Sequence, residues 1–164
     1  MNDLFFKIPV KSSIDLTEII LSGAWKQYYN FLVKEVSPEV IDSDDFLRDL
    51  RAKHPFRAAV TKMVPYTVYD WHIDDIRKVS INMLWDGGNY VTVFSFGNDL
   101  VKTIVPAIYE PKCYYFFNTQ VSHMVMNFDK PRYMFTLEFA PDFTAQDLME
   151  YLNDPETKRS FFGD

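Results

Sequence analysis

Cysteine, histidine and glycine are all scarce in this chain of 164 residues, which has one Cys, three His and five Gly. With Cys113 alone, neither an internal disulfide nor a four-cysteine zinc site can form, and a reducing compartment is the natural setting. Basic residues are outnumbered too: 17 Lys and Arg stand against 23 Asp and Glu, a formal net charge of −6. That balance disfavours a uniformly basic surface, and with it long nucleic acid as a partner. No apolar run approaches the roughly 18 to 20 residues of a membrane span. The opening MNDLFFKIPVKSS lacks the basic-then-apolar layout of a signal peptide. The expectation is a cytoplasmic protein with no membrane partner.

Aromatic residues, by contrast, are plentiful. Phe, Tyr and Trp make up 17% of the chain, and hydrophobic residues 48%. That is too much for a disordered chain, and aromatic residues favour strands. A chain of this length buries roughly 70% of its unfolded surface, enough for a core without staples. One domain over residues 1–164 is expected, with a helical part at 1–55, a β-rich core at 63–141 and a closing helix at 144–153.

In the first part, Ile14, Ile19, Ile20, Trp25, Phe31 and Leu32 recur at near-helical intervals and predict a helix over about 15–33. A second helix is predicted over about 38–52, with Pro38 in its first turn and Phe46, Leu47 and Leu50 on its buried side. His54-Pro55 should stop it, because a residue before proline is pushed out of the helical region. From residue 63 the texture changes to short runs: VPYTVYDWH, KVSINMLW, NYVTVFSF, LVKTIVPAIY, KCYYFFN and RYMFTLEF. Asp86-Gly87-Gly88-Asn89, Gly97-Asn98-Asp99 and the stretch before Pro131 break them, as tight turns do. The expected fold is mainly β with flanking helices: a sandwich or double-sheet jelly roll, the latter as a double-stranded β-helix with the N-terminal helices on its major sheet.

Strand parity then sorts side chains by face. Tyr133, Phe135, Leu137 and Phe139 share one face of RYMFTLEF, and Arg132, Met134, Thr136 and Glu138 the other. Val79, Ile81, Met83 and Trp85 likewise oppose Ser80, Asn82 and Leu84. The first set of each strand should pack under the helices, leaving the polar set facing a cavity.

The scarce histidines fall at informative places. His72 and Asp74 follow a strand-like run with one residue between them, so both can converge on one point. His123 follows a later strand. Both histidines are expected at strand ends near solvent. Two imidazoles and a carboxylate on one face of a metal leave the opposite positions open, which suits non-haem Fe(II). Arg132 opens the next strand and should point inward, where a cation needs an anion. The anion is either Glu138, on the same face, or a ligand carboxylate matched by the guanidinium fork. His54 has no partner motif and reads as structural.

The ordered set His72-x-Asp74, His123 and Arg132 resembles the Fe(II)/2-oxoglutarate-dependent oxygenase superfamily over about residues 66–141. His123, Val125, Asn127 and Arg132 match the pattern of its aspartyl/asparaginyl hydroxylase-like branch. The resemblance implies that His72, Asp74 and His123 ligate Fe(II) and that Arg132 grips the 5-carboxylate of 2-oxoglutarate. Met134 stands where many members carry a second polar contact, so Thr136, Ser80 or Asn82 would take its place. Trp71, Arg77 and Tyr69 flank the motif as substrate contacts, although a surface ion pair suits Arg77 as well.

The implied activity is hydroxylation of a peptide, amino acid or small metabolite, consuming O2 and 2-oxoglutarate and releasing succinate and CO2. A second copy of the chain could supply one wall of the site. Two other readings compete: a cupin-like metal isomerase or small-molecule barrel, and a non-catalytic jelly-roll interaction module. The first leaves Arg132 unexplained, and the second leaves the ligand set without a purpose.

Overall fold

A computed structural model describes residues 4–97 and 102–163. The chain runs β1 (Phe5–Lys11), α1 (Thr17–Leu21), β2 (Lys26–Tyr28), β3 (Phe31–Val36), α2 (Pro38–Ile41) and α3 (Asp45–Lys53). Next come β4 (Phe56–Met63), β5 (Thr67–His72), β6 (Ser80–Asp86), β7 (Tyr90–Gly97), β8 (Lys102–Pro106) and β9 (Cys113–Phe117). β10 (His123–Asn127), β11 (Arg132–Phe139), α4 (Ala145–Asn153) and α5 (Pro155–Phe161) complete it.

The strands form two antiparallel sheets. The larger has the order β1-β9-β6-β11-β4-β3-β2, and the smaller the order β5-β10-β7-β8. The helices flank this pair, so the jelly-roll expectation holds. Among the described residues no helix is long and apolar enough to cross a membrane.

Strand parity also holds. Phe135, Leu137 and Phe139 are buried with Ile81, Met83, Phe46, Leu47 and Leu50 in one cluster between the large sheet and the helices. Tyr133 and Trp85 pack at its margin, half-buried. The opposite face of the large sheet contributes Leu84, Tyr115, Phe117 and Met134 to a smaller cluster with Phe94 of β7. This second layer, between the sheets, is where the polar residues of β6 and β11 also point.

The helix expected over 38–52 is present in two pieces. Asp44 caps α3 by accepting from the Leu47 N–H at 3.1 Å, and extended His54 ends it before Pro55. His54 packs on Phe143 and Tyr151, a structural place. Thr144 and Asp147 close a capping box on α4, and α5 follows without having been anticipated.

The expected helix over 15–33 is corrected: only Thr17–Leu21 is helical, and β2 and β3 form a hairpin in the large sheet. Gly23 adopts φ +64°, a left-handed conformation that ends any helix there. The apolar spacing misled because a short apolar run reads alike in a helix and in a half-buried edge strand. With the unanticipated β1 added to β2 and β3, the first 55 residues are not a helical part, and β4 was not anticipated either. Of the expected turns, Asn98 and Asp99 lie outside the described residues.

Candidate metal centre

β5 and β10 are hydrogen-bonded neighbours with an irregular register. His123 pairs with His72 and Val125 with Tyr69, so β5 carries one extra residue between the two pairs. This bulge turns both Tyr69 and His72 toward the inside, and their rings lie 3.9 Å apart. The His72 and His123 ring centroids are 4.1 Å apart.

Asp74 follows His72 on a loop anchored by its own backbone N–H, which donates to the Thr119 carbonyl at 3.1 Å. Its Oδ1 lies 3.6 Å from His72 Nε2 and 3.9 Å from His123 Nε2. One donor atom from each of the three residues falls within 4.8 Å of the others. His72 Nδ1 lies 2.6 Å from the Asp70 carbonyl, and His123 Nδ1 lies 2.9 Å from that of Val121. A carbonyl can only accept, so each Nδ1 carries the hydrogen and each Nε2 presents its lone pair to the centre. Two imidazole nitrogens and one carboxylate oxygen are a donor set that fits a divalent transition metal with open positions.

His123 is not near solvent as expected. It is 4% exposed and packed edge-on to Phe117 and beside Phe94. Burial pushes its pKa down to about 4, so the ring is neutral and ready to ligate at neutral pH. Its position on β10 between β5 and β7 puts it inside the sheet rather than at an edge. His72 and Asp74 are partly exposed, which leaves the centre open on that side.

Arg132 opens β11 and is 5% exposed. Glu138, the anion the sequence offered within the chain, instead bonds Arg57 at 2.6 Å on the exposed end of the strand. Among the described residues no carboxylate pairs with Arg132. Its Nη2 donates to Thr92 Oγ1 at 3.3 Å, its Nη1 reaches only Met63 Sδ at 4.0 Å, and its Nε has no partner. The Tyr90 and Tyr109 rings flank the guanidinium, at 4.8 and 5.8 Å from the ring centroids. Burial lowers its pKa, the mark of a desolvated cation without a counter-anion. Thr92 pairs with Val125, two residues along β10 from His123, so the hydroxyl that Arg132 meets belongs to a strand position ~7 Å along the sheet from His123.

The three polar residues expected beside Arg132 form a separate wall. Thr136 Oγ1 donates to Asn82 Oδ1 at 2.7 Å, and Ser80 Oγ donates to the same oxygen at 2.9 Å. Arg77 joins them by donating to Thr136 Oγ1 at 2.8 Å while its Nε bonds Asp74 Oδ2 at 2.7 Å. Asn82 Nδ2 in turn reaches the Tyr109 hydroxyl at 3.5 Å, linking this wall to the surroundings of Arg132. Arg77 is therefore a part-buried partner of Asp74, neither a surface ion pair nor a free group. Tyr69 lines the mouth with Phe31 of the β2–β3 hairpin, whereas Trp71 is 41% exposed at the surface. Thr92, Tyr90 and Tyr109 were missed. Parity places Tyr90, Thr92 and Phe94 on one face of β7, but only sheet packing shows which side Arg132 meets.

No protein-family model matches the sequence, and no curated protein does. Solved structures do. A prolyl-4-hydroxylase from Pseudomonas putida superposes with a TM-score of 0.50 at 19% identity, covering 71% of this chain and 77% of its own. An oxidoreductase of the 2OG-Fe(II) oxygenase family from Burkholderia pseudomallei also reaches 0.50, at 9% identity over 76% of this chain and 75% of its own. The chain has the fold of these oxygenases. At such identities the likeness is one of architecture, and no particular branch follows from it.

Proposed function

We propose that this protein is an Fe(II)- and 2-oxoglutarate-dependent oxygenase that hydroxylates a peptide, amino acid or small metabolite. The observation that carries this reading is Arg132, a cation held 95% buried with a bare Nε and no carboxylate beside it among the described residues. A desolvated guanidinium is costly unless a ligand anion completes it. A short dicarboxylate suits a cation met by Thr92, whose strand position is two residues along the sheet from His123, with its far carboxylate on the guanidinium fork. The Thr92 hydroxyl stands beside that fork and could donate to the same carboxylate.

His72 Nε2, His123 Nε2 and Asp74 Oδ1 would hold the metal. Fe(II) bound there would supply the O2 chemistry, with 2-oxoglutarate as the electron source and succinate and CO2 as coproducts. The protein's own part is to orient and to exclude water. The hydrogen bonds on both Nδ1 atoms lock the imidazoles, and Phe94 and Phe117 close the inner side of His123. Tyr69 and Phe31 form one wall of the open side, where a substrate would enter.

The test is anaerobic titration of the apoprotein with Fe(II), then with 2-oxoglutarate, followed by a succinate-release screen across peptides, amino acids and metabolites. Metal-dependent binding of 2-oxoglutarate that Arg132→Gln abolishes is the expected result. Metal binding without any affinity for 2-oxoglutarate would overturn the cosubstrate assignment and return the cupin-like reading.

A further inference from the structure

Arg77 has no part in the mechanism above, yet it bonds a member of the triad directly at 2.7 Å. Its Nε and Nη2 both lie 2.7 Å from Asp74 Oδ2, and its Nη1 is bonded to Thr136 and approaches Ser80 at 3.5 Å. The loop itself does not need that side chain. Gln120 Nε2 donates to the Asp74 and Arg77 carbonyls at 2.9 and 3.1 Å, Thr119 Oγ1 donates to the Arg77 carbonyl at 2.5 Å, and the Asp74 N–H is bonded to Thr119. Besides linking the loop to Thr136 of β11, the guanidinium engages one oxygen of Asp74 and balances its charge. Oδ1, the oxygen left free, is the one facing both histidine Nε2 atoms.

These two effects act differently on different ligands. Fixing the carboxylate rotor favours a metal modestly, by removing one side chain's ordering cost. A full positive charge at hydrogen-bond distance from the ligand carboxylate opposes a metal cation more strongly, since Coulomb terms at such range outweigh one rotor. For an anion arriving at the loaded centre the sign reverses. With Asp74 balanced by Arg77, a dicarboxylate meets the metal's charge undiminished, and Arg132 as well. We propose that Arg77 is a positioning and counter-charge residue that weakens metal binding slightly and strengthens binding of the anionic cosubstrate at the metal end. The inference rests on the functional reading above.

The experiment compares the full-length protein with Arg77→Gln and Arg77→Lys, using Co(II) as the metal and 2-oxoglutarate as the anion, both followed by calorimetry without turnover. For Arg77→Gln the expected outcome is Co(II) affinity equal to or greater than the parent's, with 2-oxoglutarate affinity for the loaded protein about 10-fold lower. Arg77→Lys, which keeps the charge, should restore most of the anion affinity. A brace with no electrostatic role predicts otherwise: both affinities fall together with the melting temperature, or the metal weakens while 2-oxoglutarate is unaffected. Either pattern, or a lysine variant no better than the glutamine one, overturns the proposal. Failure of the underlying reading looks different and is seen first. A parent protein that binds no Co(II), binds it equally after His72→Ala, or binds it but then takes up no 2-oxoglutarate, has no loaded anion site for Arg77 to act on, and both fall.

Discussion

His72 and His123 are direct partners across the β5–β10 pair, their rings 4.1 Å apart and both Nε2 atoms turned toward the same oxygen of Asp74. That oxygen is the meeting point of a strand end, a loop and an inner strand. The variants should therefore separate metal binding from folding unequally. His72→Ala, Asp74→Ala and His123→Gln should each remove tight Fe(II) binding, read by anaerobic calorimetry. His123→Ala should in addition lower stability by ~1–3 kcal/mol, because His123 is buried against Phe94 and Phe117. Three variants that bind Fe(II) as the parent does would dismiss the triad.

Arg132→Gln makes two measurements move in opposite directions. Affinity for 2-oxoglutarate should drop by ~2–5 kcal/mol, the effect of removing one partner of a buried charge pair. The ligand-free protein should melt no lower than the parent and up to a few degrees higher, since a buried cation with an unpaired Nε has gone. Fe(II) affinity should stay put. A lower melting temperature with unchanged 2-oxoglutarate affinity would assign Arg132 to the scaffold instead.

Alkaline titration should expose three silent phenols. Burial raises the pKa of Tyr109, Tyr114 and Tyr151 above the ordinary phenol range, reinforced by the Asp44 charge at Tyr114 and by an Asp49 hydrogen bond at Tyr151. Above pH ~10 the unfolded chain releases these protons while the folded chain keeps them. Stability contributed by the neutral phenols is thus present below that value and lost as the pH rises through it. The ionised-tyrosine absorbance of Tyr109, Tyr114 and Tyr151 should appear only as the chain unfolds. A smooth titration of all 10 tyrosines in the folded protein would contradict their burial.

The turn between β6 and β7 supplies a packing test with an internal control. A Cβ on Gly88 would stand 2.2 Å from Asp129 Oδ1 and 2.9 Å from Lys130 Cβ. Asp129 cannot move aside freely, because it accepts from the Asn89 N–H at 2.6 Å and from Asn89 Nδ2 at 2.9 Å. Gly88→Ala should cost ~1–3 kcal/mol in denaturant unfolding. Gly87→Ala, whose Cβ would meet its nearest neighbours at 3.5 Å, should be close to neutral. Equal effects would mean that the Asn89–Asp129 contact does not hold this turn.

Period-two alternation was legible in β6 and β11. β6 and β11 sit mid-sheet, one face against α3 and the other toward the second sheet, so the in–out pattern of Val79–Trp85 and of Arg132–Phe139 is written plainly in the residues. The N-terminal strands were not legible for the converse reason. β2 and β3 lie at an edge of the large sheet, β2 is exposed throughout, and edge strands feel too little burial to impose alternation. β4 was overlooked because small Ala58 and Ala59 sit in its middle, where larger apolar residues would have signalled a strand.

The sequence by itself determined the donor types and their order: an imidazole and a carboxylate one residue apart, a second imidazole, then an arginine at the head of a strand. Local covalent spacing is enough for that, since neighbours on a strand must share or alternate faces. Only the tertiary structure decided whom each group meets. Glu138 and Arg132 share a face of β11 but sit near opposite ends of it, so Glu138 takes Arg57 on β4 at the rim while Arg132 meets Thr92 and two tyrosine rings inside, with no carboxylate among the described residues. Arg77 finds Asp74 three residues away, yet its other hand lies on Thr136, 59 residues along the chain. Such partners are set by which strands pair and which faces meet, and a buried charge takes its meaning from the neighbours that packing brings or withholds.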